Sequence, residues 1–468
     1  MLSTQELAFK QTQDMLKIIP ESYAALSWSK NQLKAVRNLR LRKLLHYVKA
    51  NSPWYQKHLA NINLDYFTEE HLIDIPSMDK VTLMENWDEI VTDRRLSLAL
   101  VEQHIEKMKD DGDTLYLLDC YHVLATSGSS GKRGIYIYNW DEWINFYLFN
   151  IRYNLRRPAH HITPTDPEKK WISAIVVVSN SVFALYSISK TFTHDKVEEV
   201  HIPITLPTEQ IVIELNRIQP NSLVGTPSTI SRLCHEPFLK QLTIQPQVIL
   251  VCGEPLFGPI RTLIQTAWPN ARINNVYGSS EGLFGINCHA NDTSYHMHLN
   301  DDGCIAQPVD IMGNPVGAGV TSHKLYLTNL YLYTLPLIRY EFSDQLHFLD
   351  KTCECGVNHQ LIAEPPGRPE FDFLYQGHIF VHHLIFVTPL LLEKNIHEYQ
   401  VIQNERGANI KIISGGYIDK NSLGNTICNS LSALGLKDPQ VTFSEVTKFE
   451  YTPSGKLRRF IKCDNPNP

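Results

Sequence analysis

The sequence predicts an α/β fold: a large N-terminal domain with helix-covered, mainly parallel sheets, followed by a small α+β C-terminal domain. Three observations predict it. Short β-rich runs that end in Gly or turn residues alternate with helical runs through the middle of the chain, the pattern of βαβ units. The opening of the chain has helical spacing, with apolar residues recurring at three and four. A Pro-, Gly- and charge-rich stretch, "AEPPGRPEFDF" at 363–373, then separates this body from a tail of different organisation.

In chain order, "LRLRKLLHYVKANSPWYQKHL" (39–59) carries the helical period until Ser52-Pro53 interrupts it, so residues 1 to about 60 form a helical N-terminal segment. The strands "WISAIVVV" (171–178), "SLVGT" (222–226), "QVILVCGE" (247–254) and "RINNVYG" (272–278) follow, separated by helices such as "TEQIVIELNRIQ" (208–219) and "GPIRTLIQTAW" (258–268). Ligands of such sheets sit at the carboxyl ends of the strands. The tail reads as two strands (397–403 and 409–416), a helix (421–435) and a last strand (440–446). The expected domains are 1–367 and 368–468.

Composition excludes several classes. Of 468 residues, 43% are hydrophobic and 20% charged, ordinary globular usage. Lys and Arg number 43 against 49 Asp and Glu, a net charge of −6. The basic cluster "RNLRLRK" (37–43) lies in a helical pattern and reads as a solvated face, so no nucleic-acid partner is expected. The apolar stretches at 172–189 and 378–392 are broken by Ser, Asn or paired His, and no membrane span is expected. The first residues carry charges where a signal peptide needs an apolar run. Together with nine cysteines, this points to a cytoplasmic protein with reduced thiols.

Two clusters carry chemistry. "LATSGSSGKRGIYIY" (124–138) is not a Walker loop, because Thr126 stands where the first Gly belongs and Arg133 follows Lys132. What remains is a loop, Thr126, Ser127, Gly128, Ser129, Ser130 and Gly131, whose hydroxyls and backbone N–H groups could wrap phosphates, with Lys132 as a point charge. A polar turn before a strand is the competing reading. The second cluster is Cys353-Glu-Cys355, with Cys288, His296 and His298 upstream. Two thiolates, a third Cys and an imidazole suit a closed tetrahedral zinc site. Unconnected buried residues are the alternative.

The loop is followed by "VCGEPL" (251–256), "NVYGSSEG" (275–282), "PLIRYEFSDQ" (336–345), "PPGRPEFDF" (365–373) and "YTPSGKLRRF" (451–460). In this order and spacing the motifs resemble those of the adenylate-forming superfamily, and within it the phenylacetate-CoA ligase-like branch, over nearly the whole chain. The resemblance implies ATP and Mg²⁺ as cofactors. A carboxylic acid, aromatic in this branch, is joined to AMP with loss of pyrophosphate, and the acyl group then passes to a thiol, usually that of coenzyme A. The small C-terminal domain is implied to be mobile and to swing between the two half-reactions.

Residue by residue, the resemblance implies the following roles. Tyr277 stacks on adenine and Gly278, Ser279 and Ser280 line the phosphates. Glu281 holds Mg²⁺, which prefers a carboxylate beside phosphate oxygens. Gly253, Glu254 and Pro255 form the other wall of the adenine pocket. Asp344 accepts from the ribose hydroxyls, although Phe342-Ser343 replaces the family's usual Thr-Gly before it. Arg368 reaches ribose or phosphate, and Glu370 stands at the hinge where the family usually has Asp; a surface salt bridge is the alternative for both. Lys456 is the cation that the tail domain brings to the α-phosphate during adenylation.

The branch often carries a structural zinc in the subregion of about 288–356. Its pattern selects His298 over His296, giving Cys288, His298, Cys353 and Cys355 as ligands and leaving His296 a bystander. Homodimers are frequent in the branch, and the motifs leave oligomeric state open. They also leave open transfer to an amine or a carrier protein instead of coenzyme A, and an inactive nucleotide- and zinc-binding scaffold. Residues 172–186 could line the acid pocket or form sheet core.

Overall fold

The computed structural model describes residues 2–463 except 111–113, 127–132, 156–168, 205, 235–237, 254–255, 257, 288–294, 311, 343, 366–370, 372, 378, 382, 384, 387–388, 391–392, 394, 448 and 450–459. The chain opens with helices α1 (Thr4–Ala24), α2 (Lys30–Asn51) and α3 (Pro53–His58), as the spacing predicts. Each start has a local cause. Ser3 with Glu6 and Ser29 with Gln32 form capping boxes, and Pro53 takes the first helical position after Ser52. Helices α4 (Lys80–Glu85), α5 (Trp87–Ile90) and α6 (Leu98–Asp110) continue the segment. On α2, Leu33, Leu41, Leu44, Leu45 and Val48 are buried.

The basic cluster of α2 is used inside the fold rather than solvated. Arg37 pairs with Glu69 at 2.6 Å, Arg40 donates to the Asp302 carbonyl at 2.5 Å and Arg42 to the Phe67 carbonyl at 3.2 Å. The Arg40 contact clamps the helical segment onto the body and the other two tie α2 to residues 67–69 of the same segment, which sequence spacing alone does not reveal.

Strands β1 (Tyr116–Leu117), β2 (Tyr121–Ala125) and β3 (Ile135–Tyr138) form a small antiparallel sheet, and α7 (Trp140–Leu155) follows. The main sheet then begins with β4 (Trp171–Val177), α8 (Ala184–Thr191), β5 (Val197–Pro203), α9 (Thr208–Ile218) and β6 (Ser222–Gly225). It continues through α10 (Pro227–Leu233), α11 (Phe238–Gln241), β7 (Val248–Cys252), α12 (Gly258–Ala267) and β8 (Arg272–Ser279). Strands β5, β4, β6, β7 and β8 are neighbours in that order and every pairing among them is parallel. This is the predicted βαβ run. One face is covered by α9, α10 and α12, whose Ile211, Leu215, Ile230 and Ile264 pack on Ala174, Val176, Leu223, Ile249 and Val251. Removing one such side chain, as in Leu215→Ala, costs about 2–5 kcal/mol.

Beyond β8 the sheet turns antiparallel, which the sequence reading did not anticipate. Strands β9 (Gly282–Asn287) and β10 (His296–Leu299) extend it; β11 (Cys304–Val309), β12 (Lys324–Asn329) and β13 (Tyr340–Phe342) make a separate sheet; β14 (Phe348–Leu349) and β15 (Leu361–Ala363) complete the nine-stranded one. Both β9 and β10 are buried along their whole length, so neither shows the apolar–polar alternation that marks a half-exposed strand.

The tail contains the hairpin β16 (Phe373–Tyr375) and β17 (Ile379–Val381), then β18 (Ile396–Asn404), β19 (Gly407–Ser414), α13 (Lys420–Ala433), β20 (Gln440–Glu445) and β21 (Phe460–Ile461). Phe373, Val401, Ile410, Ile412, Ile427 and Leu431 share a core of their own. Among the described residues no helix is long and apolar enough to cross a membrane.

Candidate active site

The parallel strands end near one another at Gly225, Cys252 and Ser279, and two of the predicted motifs, at 251–256 and 275–282, begin on β7 and β8 there. Cys252 pairs with Val276, so Gly253 adjoins Tyr277 across neighbouring strand ends. Gly253 has φ +79°, a left-handed turn that glycine adopts without steric cost. At Gly278 packing imposes the glycine, since a Cβ there would lie 2.3 Å from Leu283 Cδ2 and 3.1 Å from the Gly282 carbonyl oxygen. The β8–β9 hairpin is therefore drawn tight, and its turn, 279–282, presents Ser279, Ser280 and Glu281.

Each turn residue is held. The Glu281 amide donates to Ser279 Oγ at 3.2 Å, Asn329 Nδ2 donates to the Glu281 carbonyl at 3.2 Å, and Tyr138 Oη donates to the Ser280 carbonyl at 2.5 Å. Glu281 is buried, its carboxylate accepts from Tyr136 Oη at 2.7 Å, and Tyr340 Oη stands 2.9 Å from Tyr136 Oη. Burial first, and then the negative charge of Glu281, push the Tyr136 hydroxyl well above its ordinary pKa, so it remains a donor. Lys80 Nζ lies 3.9 Å from the same carboxylate oxygen.

Tyr136 and Tyr138 belong to β3, the strand that follows the "TSGSSGK" motif in the chain, and they bring that strand to the 277–281 turn. The mouth of the loop is closed by two bonds, Thr126 N to the Gly134 carbonyl and Gly134 N to Thr126 Oγ1, both 2.8 Å. Thr126 thus accepts a bond within the fold and keeps its hydroxyl proton to donate. Tyr277 Oη donates to Asp344 Oδ2 at 3.2 Å, joining the predicted adenine and ribose residues. Of the predicted nucleotide residues, Thr126, Gly253, Tyr277, Gly278, Ser279, Ser280, Glu281 and Asp344 are described; Ser127–Lys132, Glu254, Pro255 and Arg368 lie outside the described residues, as do Glu370 and Lys456. Tyr136, Tyr340 and Lys80 were not foreseen. The alternation of "GIYIY" directly after the loop was the available signal for Tyr136, and none marked Lys80.

The second cluster also assembles. His298, Cys353 and Cys355 offer one ligand atom each within 4.8 Å of one another, and His298 Nε2 is 3.2 Å from Cys355 Sγ. The His359 carbonyl, 3.1 Å from His298 Nδ1, fixes that nitrogen as a donor and leaves Nε2 directed at the sulfurs. Burial works against charge on His298, yet hydrogen bonding to Cys353 and Cys355 outweighs it and raises the pKa to about 9. His296, set aside on the sequence, reaches Cys353 Sγ with Nε2 at 3.4 Å, because residues 296 and 298 lie two apart on a strand and so share one face. Cys288 lies outside the described residues.

A βαβ sheet whose strand ends carry a Tyr–Asp pair and a buried carboxylate defines the class: the chain has the fold of the adenylate-forming ligases, the superfamily its motifs resemble. No family model matches the chain. Among solved structures, 2-hydroxyisobutyryl-CoA ligase in complex with 2-HIB-AMP and CoA in the thioesterification state superposes with a TM-score of 0.61 at 14% identity, over 93% of this chain and 91% of that one. The same ligase in the postadenylation state gives a TM-score of 0.57, over 94% and 91%. Protein CapK of Staphylococcus aureus is 22% identical over 443 residues, 92% of this chain and 89% of CapK. Phenylacetate-coenzyme A ligase of Thermus thermophilus is 22% identical over 207 residues, 43% of this chain and 46% of that enzyme.

Proposed function

We propose that this chain is an ATP-dependent, AMP-forming acid–thiol ligase that activates a carboxylic acid, an aromatic one, to its acyl-adenylate and passes the acyl group to coenzyme A. The observation that carries the reading is the convergence of separate motifs at one strand edge, with Tyr277 bonded to Asp344 and the Glu281 carboxylate buried beside them. A carboxylate there can hold Mg²⁺ on phosphate oxygens, a phenol ring can stack on a base, and a second carboxylate can accept from ribose hydroxyls. Two of the similar proteins are named as CoA ligases, and one of these is a phenylacetate ligase, which supports the acceptor and the aromatic acid.

In this reading residues 368–468 are a lid. Adenylation places growing negative charge on the α-phosphate as the carboxylate attacks, and Lys456, carried in by the lid, offsets it. Glu370 is the hinge about which the lid then moves to admit coenzyme A. The donor set His298, Cys353 and Cys355, completed by Cys288, suits zinc, which takes thiolate and imidazole ligands tetrahedrally. With every position filled by protein, its role is structural.

The test is ATP–pyrophosphate exchange over a panel of aromatic and aliphatic acids, followed by AMP release with coenzyme A, an amine or a carrier protein as acceptor. Exchange driven by aryl acids and release driven by coenzyme A are the expected results. Background exchange with every acid refutes the reading.

A further inference from the structure

The Glu281 carboxylate has a cation beside it that none of the sequence motifs contains. Lys80 is the first residue of α4, and its position is fixed from three directions. Asp79 caps the helix by accepting from the Thr82 amide at 2.8 Å. Met78 is laid along β13, donating to the Arg339 carbonyl at 3.1 Å and accepting from the Glu341 amide at 2.9 Å. Met84 Sδ receives the Ile135 amide at 3.4 Å, which ties the far end of the helix to the start of β3. Residues 78–84 therefore span from the strand that bears Tyr136 to the strand that bears Tyr340 and leads to Asp344.

The pairing with Glu281 is close without being closed. Lys80 Nζ is 3.9 Å from Oε1, whereas the buried structural pair Arg152–Asp302 meets at 2.7 Å. The short bond to Oε1 comes from Tyr136 instead, at 2.7 Å. An ammonium on a flexible stem, 22% exposed and near a 6% exposed carboxylate, is placed to turn toward a newly arriving anion.

We propose that Lys80 is a phosphate-binding residue of the nucleotide site, supplied by the N-terminal helical segment; this rests on the reading of Glu281 as the magnesium ligand of an ATP site. With Mg²⁺ on Glu281, two cations would share one neighbourhood, and phosphate oxygens between them would offset their repulsion. Lys80 then trades the carboxylate for those oxygens. The contact is assigned to the phosphates beyond the α-phosphate, so it belongs to ATP or pyrophosphate and not to AMP.

The test compares the full-length wild type with Lys80→Met and Lys80→Arg for binding of Mg–ATP and of AMP. Loss of a charge-assisted contact lowers Mg–ATP affinity by about ten-fold or more in Lys80→Met, with AMP affinity within about three-fold and Lys80→Arg close to wild type. Equal weakening of both nucleotides marks a structural residue and overturns the proposal, as does unchanged Mg–ATP binding. A wild type that binds neither nucleotide refutes the underlying reading instead. If Lys80→Met does not fold, amine-selective acetylation of the wild type, read by mass spectrometry, decides: Mg–ATP protects Lys80 and AMP does not, and equal labelling under both overturns the proposal.

Discussion

Tyr277 Oη and Asp344 Oδ2 stand 3.2 Å apart, 67 residues distant in sequence, and their bond joins the end of the last parallel strand to the segment after β13. The phenol donates and the carboxylate accepts, which holds the ring at the strand edge. Asp344→Ala removes both the anchor and the acceptor. The apparent KM for ATP in pyrophosphate exchange is expected to rise about ten-fold or more, with a smaller rise in Tyr277→Phe, which keeps the ring and loses only the bond.

Glu281 and Tyr136 separate metal binding from positioning. Glu281→Gln keeps the shape and removes the charge proposed to hold Mg²⁺, so exchange is expected to fall to background at every magnesium concentration. Tyr136→Phe deletes one 2.7 Å bond to the carboxylate, and the expected result is retained activity with a raised magnesium requirement. Titrating Mg²⁺ in exchange assays of both variants checks this; equal behaviour of the two contradicts it.

Lys456→Ala is expected to abolish adenylation while thioester formation from supplied acyl-adenylate stays largely intact. The two half-reactions, assayed apart, read this directly, and survival of both removes Lys456 from its proposed role.

Metal analysis of the purified protein is expected to give one zinc per chain. Cys355→Ser is expected to lose that zinc and to lower the melting temperature, because three donors within 4.8 Å would no longer be joined by an ion. Exchange activity measured well below the new melting temperature should persist, since the reading gives zinc no catalytic position.

His122 gives the fold an acid-sensitive point. It is 0% exposed, its Nε2 is bonded to Gln11 Oε1 at 2.8 Å, and Nδ1 has no hydrogen-bond partner among the described residues. Burial, and then nearby His104, hold its pKa well below 6.5. The unfolded chain therefore binds this proton as pH falls below about 6.5 while the folded chain does not, and the stability contributed by the neutral ring is lost on acidification. His122→Phe is expected to be less stable at pH 7.5, with a deficit in melting temperature that shrinks from pH 6.5 to 5. A deficit constant with pH counters the assignment.

The sequence by itself determined the parallel half of the main sheet, the helices that cover it and the residue types at the strand ends. These are local properties: β-branched runs, helical period, capping residues and glycines where a turn needs them. Tyr277, Glu281 and Asp344 were legible because they sit in short motifs whose order along the chain resembles a known superfamily. Tertiary structure alone decided the antiparallel half, where buried strands carry no alternation, and the use of the α2 arginines as internal clamps. It also decided the surroundings of Glu281. Tyr136, Tyr340 and Lys80 come from three distant segments, and only the packing of α4 between β3 and β13 brings them to one carboxylate. The same holds for His296 beside Cys353. Spacing in a chain fixes which face a residue occupies, but contact between faces is set by how the layers pack.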